Sequence, residues 1–249
     1  MKSNRSANLI SAAVIVALLS ALSYLLFTRL VPNSNWGGIA ANSTLLTRGW
    51  LATLGISTAA LILSITIAVI LVIGLRGGLR PIALTCRCYI EIVRGTPLLV
   101  QLFIGFYVFA DALGLQDRYI AGTILLAMFA AAYLAEIFRG GIESIGQSQF
   151  QAANAVGFDT AQTYRYVIIP QAIRRVLPAT AGQLASLVKD SSLLSVLAVN
   201  EFTKAADTIN SKTYATFEAY IPVAIGYLAL TIPISLIAAR LERRFRYET

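Results

Sequence analysis

Lys189 and Asp190 stand side by side in an otherwise uncharged apolar run, residues 179–199, with Ser191, Ser192 and Ser195 just after them. A lone charge at the centre of a bilayer costs about 2.5–3.5 kcal/mol on insertion scales, so ionisable groups within such runs usually face a bundle interior and mark a pathway. A zwitterionic solute offers a carboxylate to Lys189 and an ammonium to Asp190, and the serines add hydroxyl partners. These five residues are the candidate substrate pathway. Two other readings stand beside that one: a structural lock in which the charges satisfy each other or neighbouring helices, and a run that is broken or re-entrant. Adjacent helical residues point about 100° apart, so mutual pairing of Lys189 and Asp190 is not assured.

Residue types exclude much other chemistry. The chain has no histidine, hence no histidine base or ligand. Cys86 and Cys88 are its only cysteines, and two thiolates without histidine do not close a tetrahedral zinc site within one chain. They read as small apolar fillers, with reversible acylation as the remaining role. No Gly-x4-Gly-Lys-Ser/Thr run is present, so ATP binding by a P-loop is not expected here. A membrane-embedded enzyme would need convergent ionisable groups, and only Lys189, Asp190 and Glu136 offer themselves. No catalytic residue, resident metal or cofactor is therefore expected in this chain. Glu136 and Arg139, three apart, read as an edge pair. Gly74 and Gly78, with Arg76 between them, read as a turn.

These residues are carried by apolar helices. The 249 residues are 57% hydrophobic and 13% charged, with mean hydropathy +0.71, about half the charge of a soluble domain. Six runs approach the ~20 residues a spanning helix needs: 9–27, 50–75, 97–115, 119–137, 179–199 and 221–239. None alternates as barrel strands do, and backbone groups in lipid must be satisfied within the segment. The expected fold is an all-α integral membrane protein with about six transmembrane helices. The first run follows a basic start, as a signal peptide would, but it is long and lacks a clear cleavage site, so it reads as an uncleaved anchor.

Six spans put both termini on one side. Fourteen of the twenty Lys and Arg fall on that side: Lys2, Arg5, Arg76, Arg80, Arg87, Arg94, Arg139, Arg165, Arg174, Arg175, Arg240, Arg243, Arg244 and Arg246. Five fall opposite, at Arg29, Arg48, Arg118, Lys204 and Lys212. Positive-inside asymmetry then places both termini in the cytoplasm. The net charge of +8 is explained by the lipid bilayer and membrane potential and calls for no nucleic acid. The basic tail reads as an anionic-lipid anchor.

The cytoplasmic loop 139–178 is too long for a simple hairpin connection and too short for an enzyme domain. A short helix is expected up to Val156, with Gly157 turning the chain through left-handed angles. Asp159 or Thr160 would cap a second helix, and Pro170 and Pro178 would close the segment. The hairpin would present Ala152, Ala153 and Gly157 outward, where small side chains let a partner approach the backbone.

Gln151-Ala152-Ala153, then Gly157, then Val167-Ile168-Ile169-Pro170 resembles the E-A-A-x3-G-x9-I-x-L-P loop of ABC importer permeases. Arg94-Gly95-Thr96-Pro97-Leu98, Tyr133-Leu134-Ala135-Glu136 through Arg139-Gly140, Lys189-Asp190-Ser191-Ser192-Leu193 and Arg240-Leu241-Glu242-Arg243-Arg244 resemble its polar amino-acid branch. The likeness covers residues 48–246, the permease domain, and leaves 1–47 as a cytoplasmic start, an anchor helix and an outer loop. It implies a five-helix permease core with one added N-terminal helix, in the inner membrane of a prokaryote. It also implies an ATPase-coupling loop built on Gln151, Ala152, Ala153, Gly157 and Pro170.

The implied partners are a cytoplasmic dimer of ATP-binding subunits carrying ATP and Mg, a second permease chain (same or different), and an extracytoplasmic solute-binding protein. The implied cargo is a polar amino acid or similar small polar solute. Gln151 stands where the loop usually has glutamate, which replaces any ion pair to the ATPase with a weaker neutral hydrogen bond. An ion-coupled secondary transporter is the alternative; such proteins often show inverted repeats, and none is visible.

Overall fold

The computed structural model describes residues 3–30 and 36–245, and among them there are helices and no strands. Lys2 and Arg246 lie outside the described residues. The helices in order are α1 (Ser3–Leu30), α2 (Trp36–Ala41), α3 (Ser43–Arg76), α4 (Arg80–Gly95), α5 (Leu98–Ile104), α6 (Arg118–Glu143), α7 (Gln147–Ala155), α8 (Thr160–Gln162), α9 (Ile169–Asp190), α10 (Phe202–Thr213) and α11 (Thr216–Phe245). Among the described residues α3, α6 and α11 are each long and apolar enough to cross a bilayer, three of the six expected; α4 with α5 and its continuation to Ala110, bent by 113°, is a fourth when the pair is taken as one broken span. Residues 13–25 of α1 form a shorter apolar stretch whose side chains are exposed.

The centre of the bundle is the contact of α3 with α6. On α3 the buried residues are Leu46, Gly49, Thr53, Ile56, Ser57, Ala60, Ser64, Ala68 and Val72, a stripe with helical spacing. On α6 they include Ala121, Gly122, Ala127, Ala130, Ala131 and Ala135. Small side chains allow close backbone approach, which is how helices associate where lipid supplies no hydrophobic drive. Leu98 and Leu102 of α5, Leu187 of α9 and Leu194 pack onto this seam around Ile56, Ala60, Leu126 and Ala130.

Helix α4 occupies a stretch that hydropathy leaves as a basic loop. Ile90 is buried, with Tyr89 and Val93 packed beside it against Ala68, Val72 and Ala135, while Arg87, Glu91 and Arg94 recur on another face. Gly78, with φ 79°, makes the turn from α3. Gly74 lies inside α3, and a Cβ there would stand 2.7 Å from Cys86 Sγ. Cys86 is thus a small filler at a close crossing, and only Gly78 serves the turn expected of both glycines.

Two helices are interrupted within their spans. Gly105–Ala110 continues α5 as a π-helix. Helix α9 starts at Ile169, ten residues before the expected span, and runs on through Pro178. The prolines therefore do not close the loop. Proline lacks an N–H and crowds the carbonyl one turn back, and the π turn Thr163–Ile168 widens the helix just before Pro170. At its far end α9 passes into a 3-10 segment, Ser191–Leu197, that stops at left-handed Ala198 (φ 55°). Arg118 Nη1 donates to the Ala198 carbonyl at 3.1 Å.

Glu201, wholly buried, ties three helices together. Its Oε1 accepts from Lys204 N–H at 2.7 Å, and Oε2 accepts from Thr203 N–H at 2.8 Å and from the Tyr227 hydroxyl at 2.9 Å. Thr53 lies 3.5 Å from Oε2, and its hydroxyl oxygen accepts the Phe202 N–H at 3.1 Å. One carboxylate thus caps α10 and holds it to α3 and α11. Glu201→Ala strands these donors, each worth about 1–3 kcal/mol when buried. A clear fall in the thermal midpoint of the detergent-solubilised protein is expected, larger than for Glu201→Gln.

Candidate functional site

The loop after α6 is rigid by construction. Phe158 N–H donates to the Ala153 carbonyl at 3.1 Å and Gly157 N–H to the Asn154 carbonyl at 3.0 Å. With Gly157 at φ 82°, this is the Schellman closure that glycine permits. Asp159 then starts the next helix in a capping box with Gln162, with bonds of 2.8 and 2.9 Å.

Beneath the hairpin Ile145, Ile168 and Ala172 form a buried base, with Phe150, Tyr164 and Val167 against it. Arg76, at the end of α3, donates to the Tyr164 hydroxyl at 3.1 Å. Arg175 donates to Ser144 Oγ at 2.9 Å and to the Ser144 carbonyl. The loop is therefore fastened to α3, α6 and α9 together.

Gln151, Ala152, Asn154, Val156 and Gly157 face outward. Ala153 does not: it is 3% exposed, because one residue along a helix turns the side chain by about 100°. Val156 takes the outer place at 70% exposure, an apolar side chain next to an open glycine. Pro170 stands apart, in the first turn of α9.

Lys189 is exposed and lines a cleft of about 720 Å³ between α9 and α11, with Arg174, Gly182, Ser186, Ser235 and Glu242. Asp190 is partly buried and lies outside that cleft; among the described residues it forms no ion pair. The two charges thus stand on different sides of the chain where α9 ends. Ser191 is fully buried and its hydroxyl donates to the Val188 carbonyl at 2.8 Å. Ser192 and Ser195 are partly exposed on the 3-10 segment. The structure brings Lys189 to the cleft and turns Ser191 away from it.

Glu136 is the hub of a charge cluster that sequence spacing shows only in part. Arg139 grips it with two nitrogens, each at 2.9 Å, and also pairs with Glu143 at 2.6 Å. Arg94 reaches Glu136 from α4 at 3.2 Å, with its guanidinium over the Tyr133 ring. The Gly95–Pro97 bend beside it is pinned by Gln101 Nε2, which donates to the carbonyls of Val93 and Thr96 at 2.7 and 3.0 Å. The pairing of Arg94 with Glu136 depends on α4 being a helix, for which the sequence signal is the Arg87, Glu91, Arg94 spacing. Glu136→Gln leaves two arginines facing each other. With side chains 25–39% exposed, a loss of about 1–2 kcal/mol is expected, read as a lower thermal midpoint that Arg94→Gln partly restores.

Residues 74–247 match the family described as binding-protein-dependent transport system inner membrane component. The chain is 39% identical over 166 residues to the probable glutamine ABC transporter permease protein of Bacillus subtilis, covering 66% of this chain and 76% of that one. It is 37% identical over 162 residues to the glutamine transport system permease protein of Escherichia coli, covering 64% and 73%. A crystal structure of an amino acid ABC transporter with histidines superposes with a TM-score of 0.78 at 34% identity, over 84% of this chain and 98% of that one. The inward-facing MetNI methionine ABC transporter shares the fold, with a TM-score of 0.68 at 20% identity over 82% and 98%.

Proposed function

The chain belongs to the family of binding-protein-dependent transport system inner membrane components, and from that premise we propose that it is the permease subunit of an ATP-driven importer carrying glutamine or a similar polar amino acid. The observation that carries this reading is the hairpin of α7 and α8. It is closed by Gly157, capped by Asp159 and fastened to α3, α6 and α9. Such an element moves as a unit, so a displacement imposed on its outer face passes to α3, α6 and α9 together. Gln151, Ala152, Val156 and Gly157 form the docking face, and ATP and Mg are held by a partner ATPase dimer. Ala153 is buried behind that face, and Pro170 stands apart from it in the first turn of α9.

A second permease chain completes the pathway, and an extracytoplasmic binding protein delivers the solute. The hairpin, both termini and the arginine-rich ends of α3 and α6 lie on the cytoplasmic side of the inner membrane, by the asymmetry of basic residues. Lys189 offers its ammonium to the solute carboxylate from the cleft. Asp190, at the end of α9, and Ser192 and Ser195, on the 3-10 segment, lie outside that cleft, so Lys189 is the candidate that meets the solute there. Ser191 serves the helix and not the solute. No feature of the fold favours the ion-coupled alternative.

Gly157→Asp places a charged side chain at a backbone angle that costs an L-residue about 1–2 kcal/mol, and puts it on the docking face. Co-purification of an ATP-binding subunit from mild detergent is expected with wild type and to fall about tenfold or more with the variant, at unchanged permease yield. Wild type that brings down no ATPase would refute the docking reading. Lys189→Gln in proteoliposomes is expected to depress amino-acid uptake while leaving ATPase co-purification intact. Uptake at the wild-type rate would remove Lys189 from the pathway.

A further inference from the structure

Arg76, Arg80, Arg87 and Arg139 converge from α3, α4 and α6 on one cavity of about 500 Å³, with Glu143 and Leu84 among its walls. The arginines are not equivalent. Arg139 is taken up by Glu136 and Glu143, and Arg76 donates to the Tyr164 hydroxyl. Arg80 and Arg87 are exposed, and among the described residues neither has a carboxylate at ion-pair distance. Glu91, the acidic residue of α4, lines a neighbouring smaller cavity with Glu136, and Arg87 borders both cavities without reaching ion-pair distance of either carboxylate. The cavity between α3 and α4 therefore gathers four guanidinium groups against one lining carboxylate, Glu143, which Arg139 already engages.

Its surroundings fix the occupant. The cavity lies where the spans α3 and α6 end and α4 begins, at Arg76, Glu143 and Arg80. Just beside it α4 exposes apolar side chains, Ile82 at 47% and Leu84 at 64%. Cations beside exposed apolar surface at the end of a span suit a molecule with an anionic head and acyl tails. Guanidinium groups bind phosphate oxygens in paired, directional contacts, and basic pockets between spanning helices on the cytoplasmic side take lipid head groups.

We propose that this cavity binds the phosphate head group of an anionic phospholipid of the cytoplasmic leaflet, with Arg80 and Arg87 as its principal contacts. The proposal rests on the orientation given under Proposed function. A lipid held there bridges α3 and α4 beside the Glu136 cluster, and it sits next to the Arg76–Tyr164 contact that fastens the hairpin.

Native mass spectrometry of the purified protein tests this, using phosphatidylglycerol, phosphatidylcholine or inorganic phosphate as probes. The lipid count is read on the permease chain, whether or not an ATPase accompanies it, so failure of this proposal is separable from failure of the functional reading. Wild type is expected to retain at least one more phosphatidylglycerol than phosphatidylcholine. Arg80→Gln with Arg87→Gln is expected to lose that molecule, its affinity falling roughly tenfold or more. Arg243→Gln with Arg244→Gln, on the basic tail, is expected to keep it.

Equal retention of both lipids, or an unchanged count in the Arg80/Arg87 variant, would overturn the proposal. Displacement of phosphatidylglycerol by millimolar inorganic phosphate would make the site one for free phosphate. Loss of the ATPase from the Arg80/Arg87 variant with phosphatidylglycerol retained would assign the cavity to protein docking.

Discussion

The bundle depends on how closely α3 and α6 approach. Lipid tails are as apolar as leucine, so burying leucine between two helices gains little over leaving it in lipid. Close contact must come from side chains small enough to let backbones meet. Alanines of α6 meet the small-residue stripe of α3 in that way, and Gly122 makes room for Leu194 and Val199. The larger side chains sit around the seam: Leu98, Leu102, Leu187 and Leu194 belong to the elements that lean on it. The seam is thus the fixed body against which α5 and α9 are placed.

Irregular backbone is confined to those leaning elements. The π-helix after α5, the π turn before Pro170 and the 3-10 segment after Asp190 are the non-α helical segments among the described residues. Non-α backbone at membrane depth is tolerated where it is buried in protein or lines a cavity, and such interruptions often mark hinges or sites. Lys189 sits two residues before one of them. The Glu136 cluster and Gln101 brace the other bend, between α4 and α5, from the α6 side and from within.

The sequence was most readable where one physical signal dominates. Hydropathy located α3, α6 and α11 because their apolar runs are long, and residue chemistry located the closure at Gly157 and narrowed the cap to Asp159 or Thr160, of which the structure uses Asp159. It was less readable where two signals compete. Arginines made residues 76–94 look like a loop, although Ala83, Cys86, Ile90 and Val93 carry helical spacing. Pro170 and Pro178 looked like stops because the widened turn that accommodates the first leaves no mark in local composition. Ala153 and Ser191 were placed among functional residues by their neighbours along the chain, whereas a helix turns adjacent side chains to different faces. Glu201 gave no signal at all, since its partners Thr53 and Tyr227 are distant in sequence.

From Thr160 to Asp190 the chain is one uninterrupted helical run of α, π and α turns. At 1.5 Å per residue these thirty-one residues make a rod about 45 Å long. One end is set in the capped hairpin and the other carries Lys189. Such a rod is a lever: pivoted near its base, a tilt of only ~5° sweeps the far end through about 4 Å, roughly the width of a small polar group. On the pathway proposed at Lys189, opening and closing would call for a change of angle and no refolding of the bundle.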